Sequence, residues 1–288
     1  MTWPADPGAE NAPFENSHEP AFSKSGKESA LERRILSLLD GRLRDLAEEL
    51  LGDHEIHHYQ EYANIVAIKR LGYNDHGPVH MRKVAFNALT MAKLLRARSV
   101  GLSMETEEAG GHDDSLLVLL LAAMLHDLGM AVTRENHENY SVTLGLPLAD
   151  RYLERYYPDD RRRRVIARSM ITECIIGHMA TIRIHSREAG VILLADGCDM
   201  EKGRARIPML LNRDPSVGDI HKYSSAAVNK IEITAGTEQP IRITVRMAES
   251  VGFFQVEEVL YPKLTMSPVK PFVELYAGIV GETLRRYA

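Results

Sequence analysis

Apolar positions recur at spacings of three and four over most of the chain. Leu31, Ile35, Leu38, Leu39, Leu43 and Leu46 mark a helical stretch opening at Glu28, and Asp53 begins a second one through Ile65, Ile68 and Leu71. Residues 72–78 read as a turn. Pro78, suited to a first helical position, starts a long helix with Val84, Ala88, Met91 and Leu95 on one face. Beyond a polar loop containing Gly110 and Gly111, Asp113 or Asp114 caps a helix over 115–128, which Gly129 ends. That helix is apolar on nearly every side, which predicts a central, buried position. Helical spacing continues over 140–156, 162–179 and 187–200, and 208–219 reads as a loop. After Lys230 the period becomes two. Ile241, Ile243, Val245 and Met247 alternate with Arg242, Thr244 and Arg246, while Ile231 and Ile233 mark a hairpin partner across a turn at 236–240. Residues 254–264 look helical and 272–277 look like a strand. The expected fold class is mainly α: a helical bundle followed by a small C-terminal α+β unit of strand-strand-helix-strand order. The expected divisions are a loose N-terminal segment over 1–27, rich in Pro, Glu, Asn, Ser and Gly, a helical domain over 28–215 and the α+β unit over 216–288.

Composition narrows the function classes. The 288 residues are 44 % hydrophobic and 26 % charged, enough for a sizeable core. A net charge of −5 gives no global basic field for a long nucleic acid, although a small nucleotide needs only a local cluster of cations. The two cysteines, Cys174 and Cys198, lie in apolar helical segments and do not form a disulfide framework. The run 116–125 is too short to span a bilayer, and the N-terminus lacks the charged-then-apolar pattern of a secretory leader. A cytoplasmic protein with no membrane partner is expected.

The candidate chemistry lies in polar residues that interrupt apolar runs. A His-Asp dipeptide alone means little in a chain with 12 histidines, and a second pair, His112-Asp113, sits in a polar loop where such a pair is simply solvated. His126-Asp127 is different, because it ends the apolar run LLLAAMLHDLG, where burying both groups is costly unless they are paired or bound to a metal. His80 falls on the same helical face as Val84, Ala88, Met91 and Leu95. His178 lies four residues past Cys174, and Asp196 four residues past Ile192. Five nitrogen and oxygen donors, each on the core side of a helical segment or at its end, have one economical explanation, convergence on a divalent metal inside a helical bundle. His137, in the polar stretch RENHENYS, is a sixth candidate.

The order His80, His126-Asp127, His137, His178, Asp196 resembles the H…HD…H…H…D pattern of the HD-domain superfamily of metal-dependent phosphohydrolases. The histidines between the His-Asp pair and the last aspartate are similar to the branch that holds two metals, and LADGCDMEKGRAR resembles a closing motif in which Ala-Asp is followed by arginine. The resemblance covers residues 60–210. The Gly-Tyr-Pro signature of the cyclic-dinucleotide branch is absent, and no attached nucleic-acid-binding module is recognisable. The resemblance implies an HD-type helical bundle around one or two divalent transition ions (Mn, Fe, Zn or Co) and hydrolysis of a phosphoester or phosphoanhydride, the substrate being a nucleotide or another small phosphorylated metabolite. In its two-metal form Asp127 bridges, His80, His126 and Asp196 complete one metal, and His137 and His178 hold the second.

Substrate phosphate needs cations, and Lys202, Arg204 and Arg206, following Asp196 closely, are the leading candidates for catalytic contacts beside Asp127. Arg82 and Lys83 are weighed for the mouth of the site, and Asp199 as a partner behind the ligands. His54, His57, His58 and His185 read as surface residues, and Arg161–Arg164 as a charged helix start paired with its own acids. Two other functions fit the same residues: an HD-type di-iron oxygenase, and a non-catalytic nucleotide-sensing protein. The C-terminal unit is a candidate dimerisation or ligand-sensing element.

Overall fold

The computed structural model describes residues 23–202 and 220–288. The helical body consists of α1 (Gly26–Leu36), α2 (Gly41–Leu51), α3 (His54–Ile65), α4 (Pro78–Ala97), the short α5 (Ser103–Thr106), α6 (His112–Leu125), α7 (His137–Tyr156), α8 (Arg161–Gly177) and α9 (Arg187–Gly197). The helix starts follow capping chemistry. Ser25 and Glu28 form a reciprocal capping box at α1, and Asp53, Asp160 and Ser186 accept from backbone N–H groups at the starts of α3, α8 and α9. The ordered helix thus begins ahead of Glu28. Lys24 is already held by Glu32 and the Leu51 carbonyl, and residues 1–22 lie outside the described residues. The first predicted stretch is two helices, with the chain turning at 37–40 between them.

α6 is the axis of the body. Leu117 to Leu125 are all at 0 % exposure, and the helix packs against α4, α8 and α9. His112–Ala131 has the length and composition of a membrane span, yet 94 % of that window is buried inside the protein itself, as expected of a core helix. It ends three residues earlier than the periodicity suggests, at Leu125, and the chain continues through His126 and Asp127 into a 3-10 turn, Leu128–Ala131.

The C-terminal unit opens with α10 (Ile220–Ala227), continues into β1 (Val228–Ala235) and β2 (Ile241–Met247), passes through a helical stretch over 253–266 that ends as α11 (Tyr261–Met266), and closes with β3 (Val273–Ile279) and the short β4 (Arg285–Arg286). The sheet order is β1-β2-β3-β4, with β1 and β2 antiparallel, β2 and β3 parallel, and β3 and β4 antiparallel. The parallel pair needs a crossover, and the stretch 253–266 supplies it. This places α11 against α9. The architecture is therefore mainly α with a small α+β unit, enlarged by α10 and β4. The expected boundary at residue 215 falls outside the described residues.

Candidate metal centre

Five helices bring their ends to one point. His80 lies in the first turn of α4, His126 directly follows α6, His137 opens α7, His178 directly follows α8, and Asp196 is in the last turn of α9. Three of these are helix C-termini, whose carbonyl ends favour a nearby cation. Two local features set the meeting of α7 with the His126-Asp127 turn. Asn136 takes a left-handed conformation (φ 54°) that turns the chain into α7. Gly129 packs against the first turn of that helix so closely that a Cβ there would lie 1.9 Å from the His137 carbonyl oxygen.

His80, His126, His137 and His178 are each no more than 1 % exposed. Their Nδ1 atoms face acceptors: the carbonyls of Ala123, Arg134 and Ile175 for His126 (2.9 Å), His137 (2.9 Å) and His178 (2.6 Å), and Asp199 Oδ2 for His80 (2.7 Å). A nitrogen facing a carbonyl or carboxylate oxygen must donate, so this network assigns the ring proton to Nδ1 and leaves the Nε2 lone pairs pointing inward.

Those lone pairs meet the two aspartates in two groups. In the first, His80 Nε2 is 3.2 Å from His126 Nε2, 3.2 Å from Asp127 Oδ2 and 3.3 Å from Asp196 Oδ1, and His126 Nε2 is 3.5 Å and 3.9 Å from the same two oxygens. In the second, Asp127 Oδ1 is 3.1 Å from His137 Nε2 and 3.4 Å from His178 Nε2, which are 3.0 Å from each other. Donors sharing an ion at about 2.1 Å are separated by about 3.0 Å in an octahedron and about 3.4 Å in a tetrahedron. The spacing and donor chemistry fit a transition ion, and acceptors this close repel one another unless a positive charge lies among them. The buried cluster is therefore able to hold a metal ion.

Electrostatics point the same way. Burial pushes His126 from 6.5 down to about 3, outweighing the attraction of Asp127, so the imidazole stays neutral and ready to ligate. For Asp127, burial raises the carboxyl value, but the surrounding histidines, His126 and His76 first and then His137 and His178, carry it well below the ordinary range. Asp196 follows the same balance, with burial opposed chiefly by Lys263 and then by His80.

Two members of the site escaped the sequence reading. His76, four residues before His80 and just ahead of α4, places Nδ1 2.7 Å from Asp127 Oδ2 and groups with His80 and Asp127 as a ligand set. Lys263 of α11 donates to Asp196 Oδ2 and to the His178 carbonyl (2.9 Å). Asp199, weighed as a partner behind the ligands, does receive the His80 Nδ1–H.

The centre forms the floor of a cavity of about 640 Å³, where Asp127, His178 and Asp196 are reached from outside and Tyr73, Arg134 and Lys263 stand in the walls. The other phosphate candidates fare differently. Lys202 is exposed and bonded to Asn229, while Arg204 and Arg206 lie outside the described residues. Arg82 is not at the mouth: it is 1 % exposed and turned the opposite way, toward Glu32, Gln60 and the carbonyls of Leu51 and Pro78. Lys83 pairs with Glu201 at 3.8 Å. His57 is buried between Glu28 and Glu61 instead of on the surface, whereas His58 and His185 are exposed. Arg163 pairs with Asp160, the acid three residues ahead of it, whereas Arg164 reaches Glu154 of α7.

Over 247 residues the chain is 36 % identical to the uncharacterized protein MJ1020 of Methanocaldococcus jannaschii, covering 86 % of this chain and 93 % of that protein. The chain belongs to the family of that protein. No protein-family model matches the sequence, and no solved structure matches it.

Proposed function

We propose that the protein is a metal-dependent phosphohydrolase of the HD type, cleaving a phosphoester or phosphoanhydride of a nucleotide or another small phosphorylated metabolite. One observation carries the reading: the two carboxylate oxygens of Asp127 face separate sets of histidines on the floor of an open cavity. His80, His126, Asp196 and Asp127 Oδ2 would hold one ion, and His137, His178 and Asp127 Oδ1 a second. Bound ions of this class lower the pKa of water toward neutrality and offset charge on phosphoryl oxygens. The chain's own groups do the rest. The Nδ1 acceptors hold each ring in register. Arg134 places positive charge at the cavity wall, where a phosphate oxygen takes charge-assisted hydrogen bonds. Arg204 and Arg206, the other candidate cations, follow the wall residue Met200 by four and six residues in the sequence and lie outside the described residues. Tyr73, Met179 and Met200 offer apolar surface to the organic part of the substrate.

The test is metal content and phosphate release, measured on wild type, His126→Ala and Asp127→Asn after reconstitution with Mn, Fe, Zn or Co. The expected result is one to two equivalents of transition metal and metal-dependent phosphate release from a nucleotide and sugar-phosphate panel, both lost in the variants. A wild type that retains no metal overturns the reading. So does a metal-loaded wild type that releases no phosphate across the panel; oxygen consumption with iron alone would then favour the oxygenase.

A further inference from the structure

The C-terminal unit contributes one group to the interior of the centre. Lys263 is 9 % exposed, although Thr265 and Met266 of the same short helix face solvent. Its stem runs along α9 at Gly197, where a Cβ would come 3.1 Å from Lys263 Cδ, so the absence of a side chain there admits the lysine. The ammonium then reaches two acceptors, Asp196 Oδ2 and the His178 carbonyl.

Those acceptors belong to different halves of the centre. Asp196 Oδ1 faces His80 and His126, while His178 Nε2 faces His137 and Asp127 Oδ1. With Oδ2 engaged by the ammonium, Asp196 presents a single oxygen to its histidines. The His178 carbonyl lies where the chain leaves α8 and reverses through Ala180, which takes a left-handed φ of 59°. One side chain from a sheet-linked helix therefore pins both a carboxylate ligand of one half and the backbone of a histidine ligand of the other.

We infer that Lys263 is a positioning residue of the metal centre: it holds Asp196 in one-oxygen presentation and ties it to the His178 turn, making the C-terminal unit part of the site. This rests on the metal reading above. Two effects of the lysine have opposite signs. Its charge alone repels a cation, so removing only charge would tighten binding. Its two hydrogen bonds orient ligands, and loss of such partners behind a ligand weakens metal affinity, typically ten- to a hundredfold. The direction of the change therefore separates the roles.

The experiment measures Zn and Co affinity by chelator competition, and the visible spectrum of the Co-loaded protein, for wild type, Lys263→Met, Lys263→Arg, Asp196→Asn and the Lys263→Met/Asp196→Asn pair. Expected are a ten- to hundredfold loss of affinity and an altered Co spectrum in Lys263→Met, partial recovery in Lys263→Arg, and a smaller loss when Lys263→Met is added to Asp196→Asn, where only the His178 contact remains to be removed. Unchanged or tighter binding in Lys263→Met overturns the inference. So does a fall in the melting temperature of the metal-free protein with unchanged affinity, because lysine would then serve packing alone. If Lys263→Met does not fold, Lys263→Arg carries the comparison: wild-type affinity and spectrum support donor-based positioning, and an affinity rise overturns it. A wild type that binds neither ion defeats the metal reading itself, a different outcome from all of these.

Discussion

The metal-free protein should lose stability as the pH falls from 8 to 5, and His126 should account for a defined share. Burial holds this imidazole at about 3 instead of 6.5. A histidine released by unfolding takes up a proton below 6.5, whereas the buried one does not until near 3. The unfolded state therefore binds more protons throughout that window, and stability, complete above 6.5, declines toward 3. Each pH unit well inside the window costs about 1.4 kcal/mol, so the fall from pH 8 to 5 costs about 2 kcal/mol from this one group. Any folded-state value below about 4 leads to the same figure, because the window closes above it. The aspartates do not interfere. Asp127 and Asp196 are both held below 3.8, so their contribution is complete above that value and is lost only at lower pH. The assay is urea unfolding of chelator-treated wild type and His126→Asn at pH 8, 7, 6 and 5. The asparagine variant lacks the titrating group, so the wild type's advantage over it should shrink by about 2 kcal/mol between pH 8 and 5. Stability curves that stay parallel across this range would refute the reasoning, since His126 would then be protonated or solvated in the folded state.

Three further outcomes separate the parts of the site. Gly129→Ala places a methyl group 1.9 Å from the His137 carbonyl oxygen, so α7 must move; the expected cost is about 1–3 kcal/mol in urea unfolding together with a lower metal stoichiometry, and a variant unchanged in both would show that the close approach is not needed. Asp199→Ala removes the acceptor of His80 Nδ1–H and should weaken metal binding about ten- to a hundredfold in chelator competition, with wild-type affinity showing that packing alone orients the ring. Arg82→Met should do the reverse: it strips a buried cation from Glu32 and Gln60, costs about 3–5 kcal/mol of stability and leaves metal affinity per folded molecule unchanged, so an affinity loss would return Arg82 to the site.

The helical body was legible because its signal is redundant. Each long helix buries one face, and α6 buries all of them, so apolar spacing marks the elements even where their ends are misplaced. What spacing did not reveal is where the chain changes geometry locally. The break at 37–40 and the π-helical turn at Val66–Arg70 lie within runs that keep a helical period. Arg82 shows a related failure. Placed two residues after a ligand it reads as a site cation, but two positions along a helix are about 200° apart, and the side chain faces α1 and α3 instead.

The candidate ligands were legible for a different reason: they are polar residues at the ends of apolar helices, where an unpaired group is too costly to be accidental. That argument finds His80, His126, Asp127, His178 and Asp196, and it brings in His137 only weakly, since α7 begins in a polar stretch. It cannot find His76, which lies in the loop ahead of α4 with no apolar run to interrupt. Lys263 is the harder case. In its own segment it is a lysine after Tyr-Pro in an amphipathic stretch, next to the buried Leu264 and three residues past the buried Leu260, and a solvated head on a packed stem is the ordinary outcome there. Its role is set by Asp196, 67 residues away, and by the parallel β2-β3 connection that lays α11 against α9. Local periodicity records which face of a helix is buried but not which other element buries it. A site assembled within one bundle therefore leaves its imprint along the sequence, while a group delivered by a second unit becomes visible only once the topology is known. For this protein the difference falls on the candidate site itself: a cluster that looks complete from residues 80–196 has one of its carboxylates hydrogen-bonded from outside that span.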